Sequence, residues 1–160
     1  MHKMKKILLS FALLILAAGL CACGAASITK PIPDESVQPV RIDANCTMTR
    51  VGDKLKVSVS TNLMDGAVMK VTIDSYNGDQ LAAKYYTKAG DNFYVEFDID
   101  PKWSGAVFGT MVCEPHMNGE HTTEIYDKYG KRFQNIAGEH ILYNMSEGNY
   151  LAVQSEKVEL

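Results

Sequence analysis

The sequence is poor in the signatures that mark catalytic sites. No serine lies in a Gly-x-Ser-x-Gly turn, no glycine-rich phosphate loop precedes a helical segment, and the acidic residues lack the Asp-x-Asp-x-Asp-Gly order of a dedicated calcium loop. These gaps weigh against hydrolase, nucleotide-dependent and calcium-loop chemistry. Positive charge is also scarce: 16 Lys and Arg face 19 Asp and Glu, a formal charge of −3. Such a chain matches nucleic acid and anionic lipid head groups poorly.

What is present begins at the amino end. A cationic stretch, Met1 to Lys6, leads into the apolar run Ile7 to Leu20. As a helix that run rises roughly 21 Å, short of the roughly 30 Å hydrocarbon core a stable span must cross, so a cleaved export signal is expected. It ends in Leu20-Cys21-Ala22-Cys23-Gly24, which resembles the lipobox of bacterial lipoproteins. Cys23 fits that pattern better than Cys21, because Cys21 would follow the bulky Leu20 where a small residue is required. The resemblance implies removal of residues 1–22, acylation of Cys23 and attachment to the extracytoplasmic face of a cell membrane.

Cleavage there leaves thirteen of the sixteen basic residues and all nineteen acidic ones, a formal charge of −6. The lipid, and no basic patch, would then hold the domain at the membrane. Residues 23–39, with Pro31, Pro33 and Pro39, carry no apolar periodicity and read as a flexible tether. Two cysteines remain, Cys46 and Cys113. Outside the cytoplasm they are able to form a disulfide, and the alternative is a pair of buried thiols.

From Val40 the dominant period is two, with turn signals every ten to fifteen residues. The alternation predicts inward Cys46 and Met48; Leu55, Val57 and Val59; Met69, Val71 and Ile73; Leu81, Ala83 and Tyr85; Phe93, Val95, Phe97 and Ile99; and Val107, Met111 and Cys113. Gly52-Asp53, Asp65-Gly66 and Asn77-Gly78 mark turns, and a last strand is expected near Tyr150 to Val158. About seven strands of this kind over residues 40–160 predict an all-β, immunoglobulin-like antiparallel sandwich behind a signal helix and tether. One segment breaks the period: Ile125, Tyr129, Phe133 and Ile136 recur every three or four residues, predicting a short helix at about Thr123 to Tyr129 that covers one end of the core.

From Thr61 onward the chain resembles exported proteins and lipoproteins of Firmicutes with a C-terminal immunoglobulin-like domain. The resemblance rests on Asn62-Leu63-Met64-Asp65-Gly66 and on Thr123-Glu124-Ile125-Tyr126 followed by Gly130 and Phe133. It implies the sandwich and supplies no functional residue.

Several constellations remain to be placed. Cys113-x2-His116, with His121 and His140 beyond, has zinc-like spacing but no matching second pair, so no metal and no cofactor is expected. Asp91, Glu96, Asp98 and Asp100 read as the wet face of a strand. Trp103 reads as a plug at one end of the core. Exposed tyrosines, Tyr86 and Tyr94 above all, are the candidate binding face, since an aromatic ring supplies contact area at low entropic cost. The resulting expectation is a membrane-anchored, non-enzymatic binding or adhesion module for protein or cell-wall glycan. The alternatives are an accessory subunit of an envelope complex and a metal-dependent enzyme using Cys113, His116 and His121.

Overall fold

The computed structural model describes residues 32–33, 36–117 and 120–160. The export signal, Cys23 and most of the tether lie outside the described residues.

Alternating apolar residues drive the chain into an all-β antiparallel sandwich with one short helix. Seven long strands build its two sheets. One sheet has the order β2-β3-β6, formed by β2 (Ala44–Val51), β3 (Lys54–Thr61) and β6 (Asn92–Asp98). The other has the order β5-β4-β7-β10, formed by β5 (Gln80–Thr87), β4 (Val68–Ser75), β7 (Ala106–Cys113) and β10 (Gly148–Gln154). Successive strands cross between sheets at β3–β4, β5–β6 and β6–β7, the Greek-key connectivity of immunoglobulin-like domains. Four short strands complete the described fold. The pair β8 (Ile136–Ala137) and β1 (Val40–Arg41) is parallel, β9 (Ile141–Asn144) extends the larger sheet beyond β10, and β11 (Val158–Glu159) returns to β7.

Between the sheets, Leu55, Val57, Met69, Val71, Ile73, Val107, Met111 and Leu151 are all fully buried. Each such aliphatic side chain contributes about 1.5–3 kcal/mol by leaving water. The sheets approach closely at Gly109, where a Cβ would lie 2.8 Å from Val57 Cγ2. Trp103 packs against the core, as expected of a plug.

Two departures from the strict alternation have identifiable causes. In β5 the register against β4 slips between Ile73 and Asp74, so that Ile73 faces Ala82 while Asp74 faces Gln80, leaving Leu81 over. One extra residue reverses which side chains point inward. Ala82 and Tyr86 therefore turn toward the core, and Ala83 and Tyr85 turn out. The final strand is interrupted after Gln154, where Ser155 bonds both ways to Gly109: its N–H donates to the Gly109 carbonyl at 2.9 Å and its Oγ accepts the Gly109 N–H at 2.9 Å.

One end of the sandwich carries the loop 62–67, the loop 88–91 and the long excursion 114–147. Helix α1 (Thr123–Tyr129) lies in this excursion, with Ile125 and Tyr129 buried one turn apart. Phe133 is fully buried too and adopts φ 50°, a left-handed conformation uncommon outside glycine.

Candidate functional site

The pleat of the three-stranded sheet sends alternate side chains outward, and its register lines them up in rows. Asn45, Ser60 and Asn92 form one row; Thr47, Ser58 and Tyr94 form the next. The following rows, Thr49-Lys56-Glu96 and Val51-Lys54-Asp98, are charged. Two adjoining open depressions of about 370 and 340 Å³ lie over the uncharged rows and share Asn45, Ser60 and Asn92. They make one continuous trough from Lys56 and Tyr94 to Asp43, Asn62 and Asp91. Among the described residues, no side-chain hydrogen bond involves Asn45, Thr47, Ser58, Ser60 or Asn92, so their donors and acceptors stand open to a ligand.

The charged groups around the trough are engaged. Lys54 pairs with Asp98 at 3.5 Å and Glu96 at 3.9 Å. Lys56 Nζ lies 4.0 Å from the centre of the Tyr94 ring. Asp43 pairs with Arg41 at 3.3 Å, and Asp91 with Lys88 at 3.6 Å.

Tyr94 is 56 % exposed and belongs to this face. Tyr86 does not. It is half-buried and stacks on Phe93 with ring centres 4.2 Å apart and planes within 6°. Phe93 and Tyr94 point to opposite faces of β6, so the tyrosine pair expected to share a binding face is separated. The slip in β5 is the physical reason.

Cys46 and Cys113 are free and buried, and no disulfide joins them. Cys46 Sγ meets the Gly109 carbonyl at 3.6 Å, whereas Cys113 lies four residues, about 13 Å, further along β7. Burial raises the Cys46 thiol to about 11. Burial, with a smaller contribution from the nearby Glu114 carboxylate, raises Cys113 to about 12. Neither forms thiolate readily near neutrality.

The zinc-like spacing resolves into structure. His121 is buried; its Nδ1 accepts the Val68 backbone N–H at 3.1 Å, which leaves Nε2–H to donate to the Glu114 carbonyl at 2.6 Å. Both ring nitrogens are therefore occupied, joining the excursion to β4. Burial lowers the His121 pKa, the Glu114 carbonyl opposes that shift, and the neighbouring His116 adds to it. His116 is exposed and Cys113 is not. No group of three or more His, Cys, Asp or Glu side chains converges on a metal-sized site among the described residues.

The motif Asn62-Leu63-Met64-Asp65-Gly66 is likewise structural. Asn62 accepts the Asp43 N–H and donates to the Arg41 carbonyl, and Leu63 is buried. The Met64 N–H donates to the Tyr129 hydroxyl at 2.7 Å. Asp65 takes the buried Lys88 ammonium at 2.9 Å and the Gly90 N–H, and both interactions lower its pKa. Gly66, at φ 89°, lies so close to Thr122 that a Cβ would come within 2.8 Å of its methyl group.

Asp98 and Glu96 face Lys54, while Asp100 closes a turn by accepting the Lys102 N–H. The trough itself is not apparent in the linear order of the residues. The signal available was that the outward positions at one end of β2, β3 and β6 are uncharged while those at the other end are charged.

No helix among the described residues is long and apolar enough to cross a membrane. Comparison of the chain with protein-family models, curated proteins and solved structures finds no match.

Proposed function

We propose that the protein is a lipid-anchored module on the extracytoplasmic face of a cell membrane, and that it binds protein or cell-wall glycan through the trough on its three-stranded sheet. The export-signal pattern of residues 1–22 with Cys23 directly after it supports the location, and the acidic mature chain leaves attachment to the lipid. The binding reading is carried by one observation: five polar side chains in adjoining rows, with Tyr94 beside them, have open hydrogen-bonding capacity over a continuous depression.

Intact-mass measurement of membrane-extracted protein tests the anchor. A lipid adduct on Cys23 is expected, and an unmodified start at Ala25 or beyond contradicts it. Co-sedimentation of the intact protein with detergent-washed wall fragments tests the site. Ser58→Arg, which fills the trough, is expected to abolish retention without changing the unfolding midpoint; equal retention of both proteins contradicts the reading.

A second reading, an accessory subunit of an envelope complex, draws support from the opposite side of the molecule. There Tyr85, Lys70, Val112 and Ala152 align across the outer face of the larger sheet, with Leu142 nearby on β9. Tyr85 and Leu142 are both exposed. The metal-dependent enzyme is the weaker reading, because both His121 ring nitrogens are engaged.

A further inference from the structure

We infer that the ligand of the trough is an uncharged glycan chain, an inference that rests on the reading of the trough as the binding site. The first ground is charge. The two rows that floor the trough contain only amide, hydroxyl and phenol groups. The charged side chains at its margins are already paired, Asp43 with Arg41 and Asp91 with Lys88, while Lys56 lies against Tyr94. A polyanion would meet Asp43 and Asp91 at one end with Lys56 as the sole cation lining the two depressions.

The second ground is the kind of hydrogen bond on offer. Backbone N–H and C=O groups lie in the plane of a sheet and are used by its ladders, so the face presents side chains only. A peptide that pairs as an added strand needs an open sheet edge. The β6 edge is closed at its centre, where Lys84 Nζ donates to the Glu96 carbonyl at 2.5 Å, the use of a lysine that keeps edges from pairing. Each asparagine amide instead presents a donor and an acceptor side by side, and each Ser or Thr hydroxyl serves as either. That set matches neighbouring hydroxyls on a sugar ring, whose C–H face can rest on the face of the Tyr94 ring opposite Lys56.

The third ground is extent. The two open depressions share Asn45, Ser60 and Asn92, so the uncharged surface runs on from the Tyr94 row toward Asn62 and gives an extended chain a longer contact than a single ring.

The test is titration of the intact protein in detergent micelles with cellotetraose, maltotetraose, mannotetraose and the N-acetylglucosamine tetramer, with polygalacturonate as the anionic comparator. Saturable binding of at least one neutral tetrasaccharide is expected. The affinity should fall about tenfold or more in the double variant Asn45→Ala, Asn92→Ala, and hold in Gln154→Ala on the opposite sheet. In parallel, wall fragments treated with periodate, which cleaves vicinal diols, or with protease are compared for retention of the wild-type protein and of Ser58→Arg. Retention that needs Ser58, is lost after periodate and is not displaced by excess polygalacturonate supports the inference even where none of the four tetrasaccharides binds. Retention that needs Ser58, survives periodate and is lost after protease overturns the glycan and leaves the trough as a protein site. Preference for polygalacturonate likewise overturns an uncharged ligand. Retention indifferent to Ser58 overturns the site itself.

Discussion

The excursion 114–147 and the outer face of the three-stranded sheet use polar residues in opposite ways. In and under the excursion, polar side chains are spent on the fold: His121 joins Val68 to Glu114, the Tyr129 hydroxyl takes the Met64 N–H, the Tyr126 hydroxyl donates to the Pro115 carbonyl, and Asn149 donates to the Phe133 carbonyl. On the sheet face, Asn45, Thr47, Ser58, Ser60 and Asn92 are left open. A buried polar group left unpaired costs about 1–3 kcal/mol, which favours such pairing, although Asn149 Oδ1 and Glu147 Oε2 are buried here without a hydrogen-bond partner. An exposed one satisfied only by water is free to exchange that water for a ligand. The residues that look most chemical in the sequence are therefore the most structural, and the bland ones form the candidate site.

Variants that break this division should differ widely in stability. The largest loss is expected for Tyr129→Ala, which empties a fully buried ring packed edge-on against Phe133 at 5.7 Å and removes the Met64 bond. Denaturant unfolding should show a loss of about 3–5 kcal/mol. His121→Ala leaves the Val68 N–H and the Glu114 carbonyl without their partner, and about 1–3 kcal/mol is expected, with faster hydrogen exchange at the Val68 amide.

Acidification should act through the same residue. Because the folded His121 pKa lies below its ordinary 6.5, the unfolded chain binds the additional proton more readily. This contribution to stability is complete above about pH 6.5 and is lost as pH falls from there through the folded pKa. Unfolding midpoints measured across that window should decline in the wild type and decline less in His121→Ala. The smallest effect is expected in the trough: the double variant Asn45→Ala, Asn92→Ala should unfold within about 0.5 kcal/mol of the wild type, since both positions are exposed and make no internal bond.

The strands with strong alternation were legible in the sequence because one face is apolar and the other polar. Phe93, Val95 and Phe97 against Tyr94, Glu96 and Asp98 is the clearest instance, and α1 falls at Thr123–Tyr129 as its spacing predicts. The phase of β5 was not legible, since Leu81-Ala82-Ala83 carries no polar contrast to locate the extra residue. The two-residue strands β1 and β8 leave no mark in the sequence because their pairing is a tertiary event, with Ile42 N–H donating to the Ala137 carbonyl across nearly a hundred residues. The trough was illegible for a related reason. Asn45, Ser60 and Asn92 are ordinary outward residues on three separate strands, and only the register makes them neighbours.

Hydroxyl-radical footprinting of the intact protein, with and without washed wall fragments, tests the division between folding and binding most directly. The account predicts that Tyr94 becomes protected while the exposed Tyr76 and Tyr85, on the β4–β5 turn and on the larger sheet, react as before. Equal reactivity of Tyr94 in both samples, with protection at Tyr85 instead, would contradict the trough as the site and favour the opposite face.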